Sequence, residues 1–423
     1  MPFKADSPLF QTIPFDERGI GQERTEVAND GSMYISQFRN QFSLLPHWGT
    51  SMLRDDPNIS GTGAQIAEED GHLLLDAGTD NNGFAHLSTL ERGLYLPGAV
   101  MQTGVGVRIP TLPTGTEYYE WGPFTVDDEG VGFGYDSTGL YIFRRVNGTE
   151  LERIYQGNWN VFQLDGADPD LGAAEVDLTQ GAAFHIDVAW YGFGSINFKI
   201  ETTEPVVPGD ERRFYTVHRI NVDQFSMFDP NLPIRITADN GASPGTQAQI
   251  QLGGRQIAIG RGLATPRLRL VEEVVTRYET VNNGNQFQCV GAWRSKPTFS
   301  TAGRVNTVRV TFDFIKMVAD NPIEWRVVYE PELDPPAWKE ADGYAATETA
   351  TEFALGPIDF NPADSIPVLK DVNISANKTT ATAAAVERVE VVLAAGKQCA
   401  LLVRNLTNAQ AVLDYVVAVT ESW

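Results

Sequence analysis

Cysteine is nearly absent from this chain, which has only two among its 423 residues, Cys289 and Cys399. They lie far apart in the sequence and form no Cys-x-x-Cys pair, which argues against a structural zinc site of the usual kind. We expect two buried free thiols. A disulfide is the alternative if the fold brings the two residues together, and the sequence leaves that choice open.

Long apolar runs and positive charge are also scarce. No window approaches the roughly 20 apolar residues that a membrane-spanning helix needs, and the amino terminus carries no apolar signal region. We therefore expect no membrane insertion and predict that the protein is made and assembled in a cytoplasm. Lys and Arg number 32 against 55 Asp and Glu, which gives a net charge of −23. Such a charge repels phosphates and disfavours nucleic acid as a partner.

The usual motifs of catalysis and metal binding are missing as well. The five histidines show no pairing at metal-ligand spacing, and no Glu-x-Asp-x-Glu run supplies the strand-borne carboxylates of a retaining glycoside hydrolase. Ser243 lies in a Gly-x-Ser-x-Gly pattern, but Pro244 after it has no N–H for an oxyanion hole. We predict no enzyme, no catalytic residue and no cofactor or resident metal. Whether the acidic loop 165–170 holds calcium stays open.

What the chain does contain is a long series of short apolar strands separated by turns. Phe184, Ile186 and Val188 alternate with His185 and Asp187, and many other segments repeat this pattern. Period-two alternation places one set of side chains in a core and the other set outside. The pattern predicts a mainly β fold built of two antiparallel β-sandwich domains. Trp190 continues the apolar phase, so we expect it in the same core.

The pattern changes along the chain and divides it into four segments. The first is polar, irregular and rich in proline, which predicts an extended arm that docks on a partner. A run of mixed period around 266–275 separates the two strand series and fits either a strand or a short helix. The predicted segments are 1–35 as the N-terminal anchoring arm, 36–262 as the first sandwich, 263–285 as a connector and 286–423 as the C-terminal sandwich.

Large aromatic residues cluster in the first strand series. Tyr118, Tyr119 and Trp121 share one run, and Trp159 precedes a Leu-Asp-Gly turn. Aromatic rings exposed at the loops of a sandwich stack on sugar rings, but the same residues also fill the space between two sheets. We take these four residues as candidate glycan contacts and keep core packing as the alternative.

Several motifs follow one another in a distinctive order. In the first half they are Val131–Asp136, Arg144-Arg145, Trp159 with Leu164-Asp165-Gly166, Trp190–Phe198, His218-Arg219-Ile220 and Asp229–Pro233. Their order and spacing resemble the concanavalin-like (laminin G-like) sandwich, a jelly roll, in structural proteins of tailed phages and some large DNA viruses. The second half resembles the partner domain of these proteins more loosely. Its motifs are Trp325–Tyr329, Trp338, Gly396-Lys397 and the terminal Glu421-Ser422-Trp423.

The resemblance implies a non-enzymatic virion structural protein, displayed on the phage tail or head as a fibre, spike or decoration. Its expected partners are other virion proteins of the capsid or tail and further copies of itself, with a homotrimer favoured. The alternative is an adhesin that binds a host receptor or surface carbohydrate. A glycan depolymerase ranks behind both. The position in the particle, the host and the receptor are left open.

Overall fold

The structure is a computed structural model, and it describes most of the chain beyond residue 37. The described residues are 38–96, 99–126, 129–166, 175–189, 194–201, 214–221, 227, 229–260, 268–280, 286–299, 305–346, 348–361, 365–373, 391–407 and 410–422. The predicted anchoring arm and Trp190 lie outside these ranges. So does most of the acidic loop 165–170.

Fifteen strands and two single-turn 3₁₀ helices, Pro46–Trp48 and Gln156–Asn158, form the first half of the described chain. The strands are β1 (Arg39–Leu44), β2 (Asp55–Ser60), β3 (Gln65–Glu69), β4 (His72–Asp76), β5 (Phe84–Arg92), β6 (Val100–Arg108), β7 (Tyr118–Pro123), β8 (Gly130–Asp136), β9 (Gly139–Val146), β10 (Thr149–Tyr155), β11 (Ala182–Val188), β12 (Ile196–Glu201), β13 (Phe214–Ile220), β14 (Pro233–Asp239) and β15 (Gln249–Gly260).

These strands pair into two antiparallel sheets that pack face to face. The eight-stranded sheet has the order β13-β12-β11-β6-β15-β4-β3, with β1 also paired to β15. The seven-stranded sheet has the order β10-β9-β8-β7-β14-β5-β2. The predicted alternation on β11 is confirmed, because Phe184, Ile186 and Val188 are at most 2% exposed in the core between the sheets. Burying each such side chain contributes about 1.5–3 kcal/mol.

The second half forms a smaller sandwich of the same kind. Its strands are β16 (Leu268–Thr280), β17 (Gln288–Ser295), β18 (Arg309–Ala319), β19 (Ile323–Tyr329), β20 (Glu332–Leu333), β21 (Thr351–Ile358), β22 (Phe360–Asn361), β23 (Ile366–Asn373), β24 (Val392–Leu393), β25 (Gln398–Asn405) and β26 (Ala411–Ser422). A four-stranded sheet, β16-β26-β18-β24, faces a five-stranded sheet, β21-β17-β25-β19-β23, and β20 pairs with β22. Two antiparallel sandwiches are therefore present, as predicted from the strand pattern.

The predicted connector contains a strand of the second sandwich. β16 pairs with β26 from Leu268 opposite Ser422 to Thr280 opposite Ala411, so the strand alternative for this run is the correct one. Val271 and Glu273 point inward and are buried. Glu273 occupies an inward position of this strand, where a charged residue interrupts the apolar alternation. The sequence pattern therefore did not distinguish a strand from a short helix. Glu273 is paired with Lys339, whose Nζ lies 2.7 Å from its carboxylate. The other segment boundaries stay predictions.

Both cysteines lie in the second sandwich as buried free thiols, as expected. They occupy neighbouring strands, β17 and β25, but out of register. Cys399 is opposite Trp293, and Cys289 is opposite Leu402. Burial raises the pKa of the Cys289 thiol to about 12 and also raises the pKa of Cys399. Because the two thiols are free and out of register, the alternative of a disulfide between them is wrong.

Candidate ligand groove on the seven-stranded sheet

The outer face of the seven-stranded sheet carries an open groove of about 870 Å³. Strand alternation builds it: on β7, Tyr119 and Trp121 point into the core and are 0% exposed, while Tyr118 and Glu120 point outward. Each of the seven strands contributes a lining residue. The groove therefore runs across the whole width of the sheet.

One row of outward-facing residues crosses the sheet in continuous register. From edge to edge it consists of Tyr155, Tyr141, Gly134, Glu120, Thr237, His86 and Asn58, each opposite the next. Adjacent strands lie about 4.8 Å apart, so this row spans roughly 29 Å. A groove that follows this row is long enough for an extended ligand.

The glycine-rich motif on β8 makes room for aromatic rings on this outer face. Gly134 lies opposite Tyr141, and Gly132 lies opposite Phe143. A side chain at either glycine would overlap the ring beside it. Because the glycines leave this space, the two rings lie against the sheet and are fully buried on its outer side. The glycine-rich motif therefore allows the rings of Tyr141 and Phe143 to pack directly on the backbone of β8.

Two arginines cover these rings and anchor one end of the groove. The Arg145 guanidinium carbon lies 4.2 Å from the Phe143 ring centre, and that of Arg153 lies 4.3 Å from the Tyr141 ring centre. Arg145 Nη1 donates to Glu120 Oε2 at 2.8 Å. Tyr141 Oη donates to Glu120 Oε1 at 3.1 Å. Burial, with the charge of Glu120 second, raises the pKa of Tyr141, so its hydroxyl remains a donor. These contacts make a rigid, charged floor.

The other end of the groove is built around Asp239. Tyr118 and Phe84 occupy the strands on either side of it and are its direct cross-strand neighbours. Tyr118 Oη donates to Asp239 Oδ2 at 3.1 Å. The Phe84 ring stacks on His86 with centroids 4.3 Å apart. Arg235 Nη2 lies 2.8 Å from His86 Nδ1. Aromatic faces and fixed polar atoms therefore alternate at this end.

Burial holds three histidines in the neutral form and makes stability depend on acid pH. It lowers the pKa of His86 to about 3 and of His185 to about 4, and it also lowers that of His218. The unfolded chain binds protons near pH 6.5, before the folded chain does, so stability is complete above pH 6.5 and falls as the pH drops towards 3. Each histidine changes the free energy of unfolding by at most about 1.4 kcal/mol per pH unit.

We therefore expect the melting temperature to fall steadily from pH 7 to pH 4. His86→Gln should show a shallower fall, because it removes one of the groups that the unfolded chain protonates. His72→Gln, at an exposed position, is the matched control and should follow the unsubstituted protein. Melting followed by circular dichroism at several pH values measures this, and parallel curves for all three proteins would contradict it.

The structure separates the four candidate glycan contacts. Tyr118 lines the groove. Tyr119 and Trp121 are 0% exposed and Trp159 is 4% exposed, and all three pack in the core between the sheets. The candidacy of these three residues is therefore corrected in favour of core packing, since their rings face away from the groove. Glycan contact by Tyr118 stays a prediction.

The acidic residues of the groove form no motif in the sequence because they come from different strands. Glu120 on β7 and Asp136 on β8 line it, and Asp239 on β14 joins them at its edge. A search for acids spaced along one strand does not find such a set. The register of β7 with β8 and β14 is the missing information, and it depends on pairings distant in the sequence.

These three carboxylates are occupied on both oxygens, and so are those of Glu117 and Glu150, which also line the groove. Glu120 accepts from Arg145 and Tyr141. Asp136 accepts from the Thr138 amide and from Tyr155 Oη. Asp239 accepts from the Gly241 amide and from Tyr118 Oη. These side chains are thus fixed acceptors in a hydrogen-bonded surface.

Within the described ranges, no group of three or more His, Cys, Asp or Glu side chains is arranged to hold a metal ion. Among the same residues, no helix has the length and apolar character needed to cross a bilayer.

Comparisons with known proteins find similarity to solved structures alone. No protein-family model matches the chain, and no curated protein sequence matches it. The CBM2 module of the evolved Dit of Lactobacillus casei BL23 phage J-1 is 10% identical, with a TM-score of 0.35, over 54% of this chain and 99% of that one. The legume lectin-like domain from Entamoeba histolytica is 11% identical, with a TM-score of 0.29, over 48% and 89%. A glycosyl hydrolase family protein from Mycobacterium fortuitum is 10% identical, with a TM-score of 0.33, over 52% and 99%.

Proposed function

We propose that this chain is a non-catalytic carbohydrate-binding protein that holds a glycan in the groove of its seven-stranded sheet. The observation that carries the proposal is the composition of this groove, an open trough lined by aromatic rings beside immobilised hydrogen-bonding groups. The apolar C–H faces of a sugar stack on aromatic rings. Its hydroxyl groups both donate and accept hydrogen bonds. Pockets of this size with a few fixed polar groups are typical ligand sites.

The groove favours binding over cleavage. A retaining glycosidase needs one carboxyl group to protonate the leaving oxygen and a second about 5–5.5 Å away as the nucleophile. Five carboxylates lie in or beside this groove, and each uses both oxygens as acceptors from neighbouring side chains or amides: Glu117, Glu120, Asp136, Glu150 and Asp239. Purified protein should therefore bind glycan without releasing reducing ends.

We also propose that the protein acts as an adhesin on a virus particle. The support is the order of motifs in the first half of the chain, which resembles sandwiches of phage structural proteins. In this proposal, residues 1–35 dock the chain on other virion proteins of the capsid or tail. A homotrimer would present three grooves, and repeated weak binding sites add to the avidity for a cell surface. Deleting residues 1–35 should leave both sandwiches folded but prevent incorporation of the protein into virus particles.

Tyr118→Ala tests the groove. We expect it to weaken glycan binding at least tenfold, about 1.4 kcal/mol, because it removes a ring face and the hydroxyl that holds Asp239. A glycan array selects the ligand, and calorimetry with the full chain measures its affinity. Tyr344→Ala, a partly buried tyrosine of the second sandwich, is the control and should bind normally. Equal affinity in both variants would exclude the groove as the site.

A further inference from the structure

His86 at the groove floor has one ring nitrogen bonded and one that is not. Its Nδ1 lies 2.8 Å from Arg235 Nη2. Its Nε2 is buried and has no hydrogen-bond partner among the described residues. The nearest carboxylate oxygen, Asp239 Oδ2, is 3.9 Å away. A buried polar atom left without a partner costs about 1–3 kcal/mol, so this arrangement calls for a reason.

The arginine determines which nitrogen of His86 carries the proton. A guanidinium group has N–H donors and no acceptor, so Nδ1 must accept and the proton of the neutral ring lies on Nε2. Burial and the Arg235 charge lower the pKa of His86 to about 3, which keeps the ring neutral at physiological pH. Nε2–H is therefore a donor, and the nearest carboxylate acceptor is Asp239 Oδ2.

The gap between this donor and this acceptor matches one bridging oxygen. A distance of 3.9 Å is too long for a direct hydrogen bond. It allows a single oxygen to lie about 2.8 Å from both atoms, at the corner of a triangle. That oxygen must accept from Nε2–H and donate to the carboxylate. A hydroxyl group does both through one atom.

Other common substituents of sugars do not satisfy this pair. A carboxylate, sulfate or phosphate oxygen has no proton for Asp239, and its charge would meet the Asp239 charge at close range. An N-acetyl group donates and accepts through different atoms on opposite sides of its amide. The pair therefore selects a hydroxyl at this position of the ligand.

We propose that His86 and Asp239 form a subsite that recognises one unsubstituted hydroxyl of a sugar ring, flanked by the rings of Tyr118 and Phe84. This inference rests on the proposed function of the groove. Nε2 is buried, so in this proposal a neighbouring side chain moves when the hydroxyl enters, and we assign that movement to the partly exposed Phe84 ring that stacks on His86. The class of ligand is thus a glycan with a neutral, unmodified sugar at its contact point.

Monodeoxy sugars test this subsite from the ligand side, without changing the protein. The full chain is titrated with methyl glycosides of glucose, galactose and mannose and with the monodeoxy derivatives of each. We expect removal of one particular hydroxyl to weaken binding at least tenfold. The uronic acid or N-acetyl analogue with its substituent at that position should bind no better than the deoxy sugar.

His86 variants connect the hydroxyl to the histidine. In His86→Leu, the parent and deoxy sugars should bind within twofold of each other. His86→Gln places an amide N–H near the position of Nε2 and should restore part of the difference. His72→Gln, at an exposed position on β4 of the eight-stranded sheet, lies outside the groove and should keep the full tenfold difference. Melting curves confirm that each variant is folded.

The two proposals fail in different ways. If the unsubstituted protein binds a glycoside but no deoxygenation is coupled to His86, the hydroxyl subsite is wrong and the groove proposal stands. If the unsubstituted protein binds none of the glycosides and no glycan on an array, both are wrong. If each deoxy sugar loses as much affinity for His86→Leu as for the native protein, the hydroxyl subsite is wrong. The groove then binds sugar through other residues.

Discussion

Trp121→Ala should destabilise the first sandwich by about 3–5 kcal/mol, because it leaves a large cavity where the two sheets meet. The Trp121 side chain is 0% exposed. Its ring contacts Phe184 of the opposite sheet edge-on at 5.0 Å and stacks near Phe133 at 6.3 Å. Unfolding in urea measures this loss of stability. We expect a lower midpoint concentration and little change in the slope of unfolding free energy against urea concentration.

Tyr118→Ala is the matched control for this prediction. It lies three residues away on the same strand but points to the groove, so its removal leaves the core intact. We expect less than half of the Trp121 effect on stability together with the loss of glycan binding described above. Trp121→Ala and Tyr118→Ala variants of equal stability would mean that the faces of β7 are assigned the wrong way round.

Arg145→Met should cost about 3 kcal/mol, since it removes the main partner of a buried carboxylate. Glu120 and Arg145 side chains are 4% and 11% exposed. With Arg145 gone, Glu120 keeps the hydroxyl of Tyr141 and a more distant guanidinium, Arg153 at 3.8 Å. The ring of Phe143 also loses its cover. Chemical unfolding gives the size of the effect.

A double-mutant cycle separates charge from packing. Glu120→Gln with Arg145→Met removes both charges at similar volume, and we expect it to recover most of the stability lost in Arg145→Met. Arg144→Met on the same strand is the control, because Arg144 pairs with Glu152, which is 31% exposed, and an exposed partner is rehydrated easily. A double variant as unstable as Arg145→Met would show that ring packing carries the effect.

The core could be predicted from the sequence because it follows a local rule. Phe184, Ile186 and Val188 occupy every second position of a strand, and the two-residue period alone places them on one face. The same rule failed at 268–280, where Glu273 takes an inward position. The cost of burying that charge is offset by Lys339, which is 66 residues away and invisible to a local pattern.

The groove could not be predicted in this way because its residues meet only through pairing of distant strands. Glu120 faces Thr237 across 117 positions, and Thr237 faces His86 across 151. In the run 118–121, aromatic residues stand on both phases of the strand, so composition does not tell the core face from the outer face. Tyr119 and Trp121 belonged to the core for this reason, and Trp159, which follows the 3₁₀ helix Gln156–Asn158, packs in the core as well.

Both native cysteines are enclosed within the second sandwich, and burial raises the pKa of each thiol. Reagents that need a solvent-accessible thiolate therefore find no native target on the folded protein. A cysteine introduced at the exposed rim residue Thr138 would be its single reactive site. A fluorophore attached there would sit at the mouth of the groove and report the arrival of a ligand directly, without a background of labelled native residues.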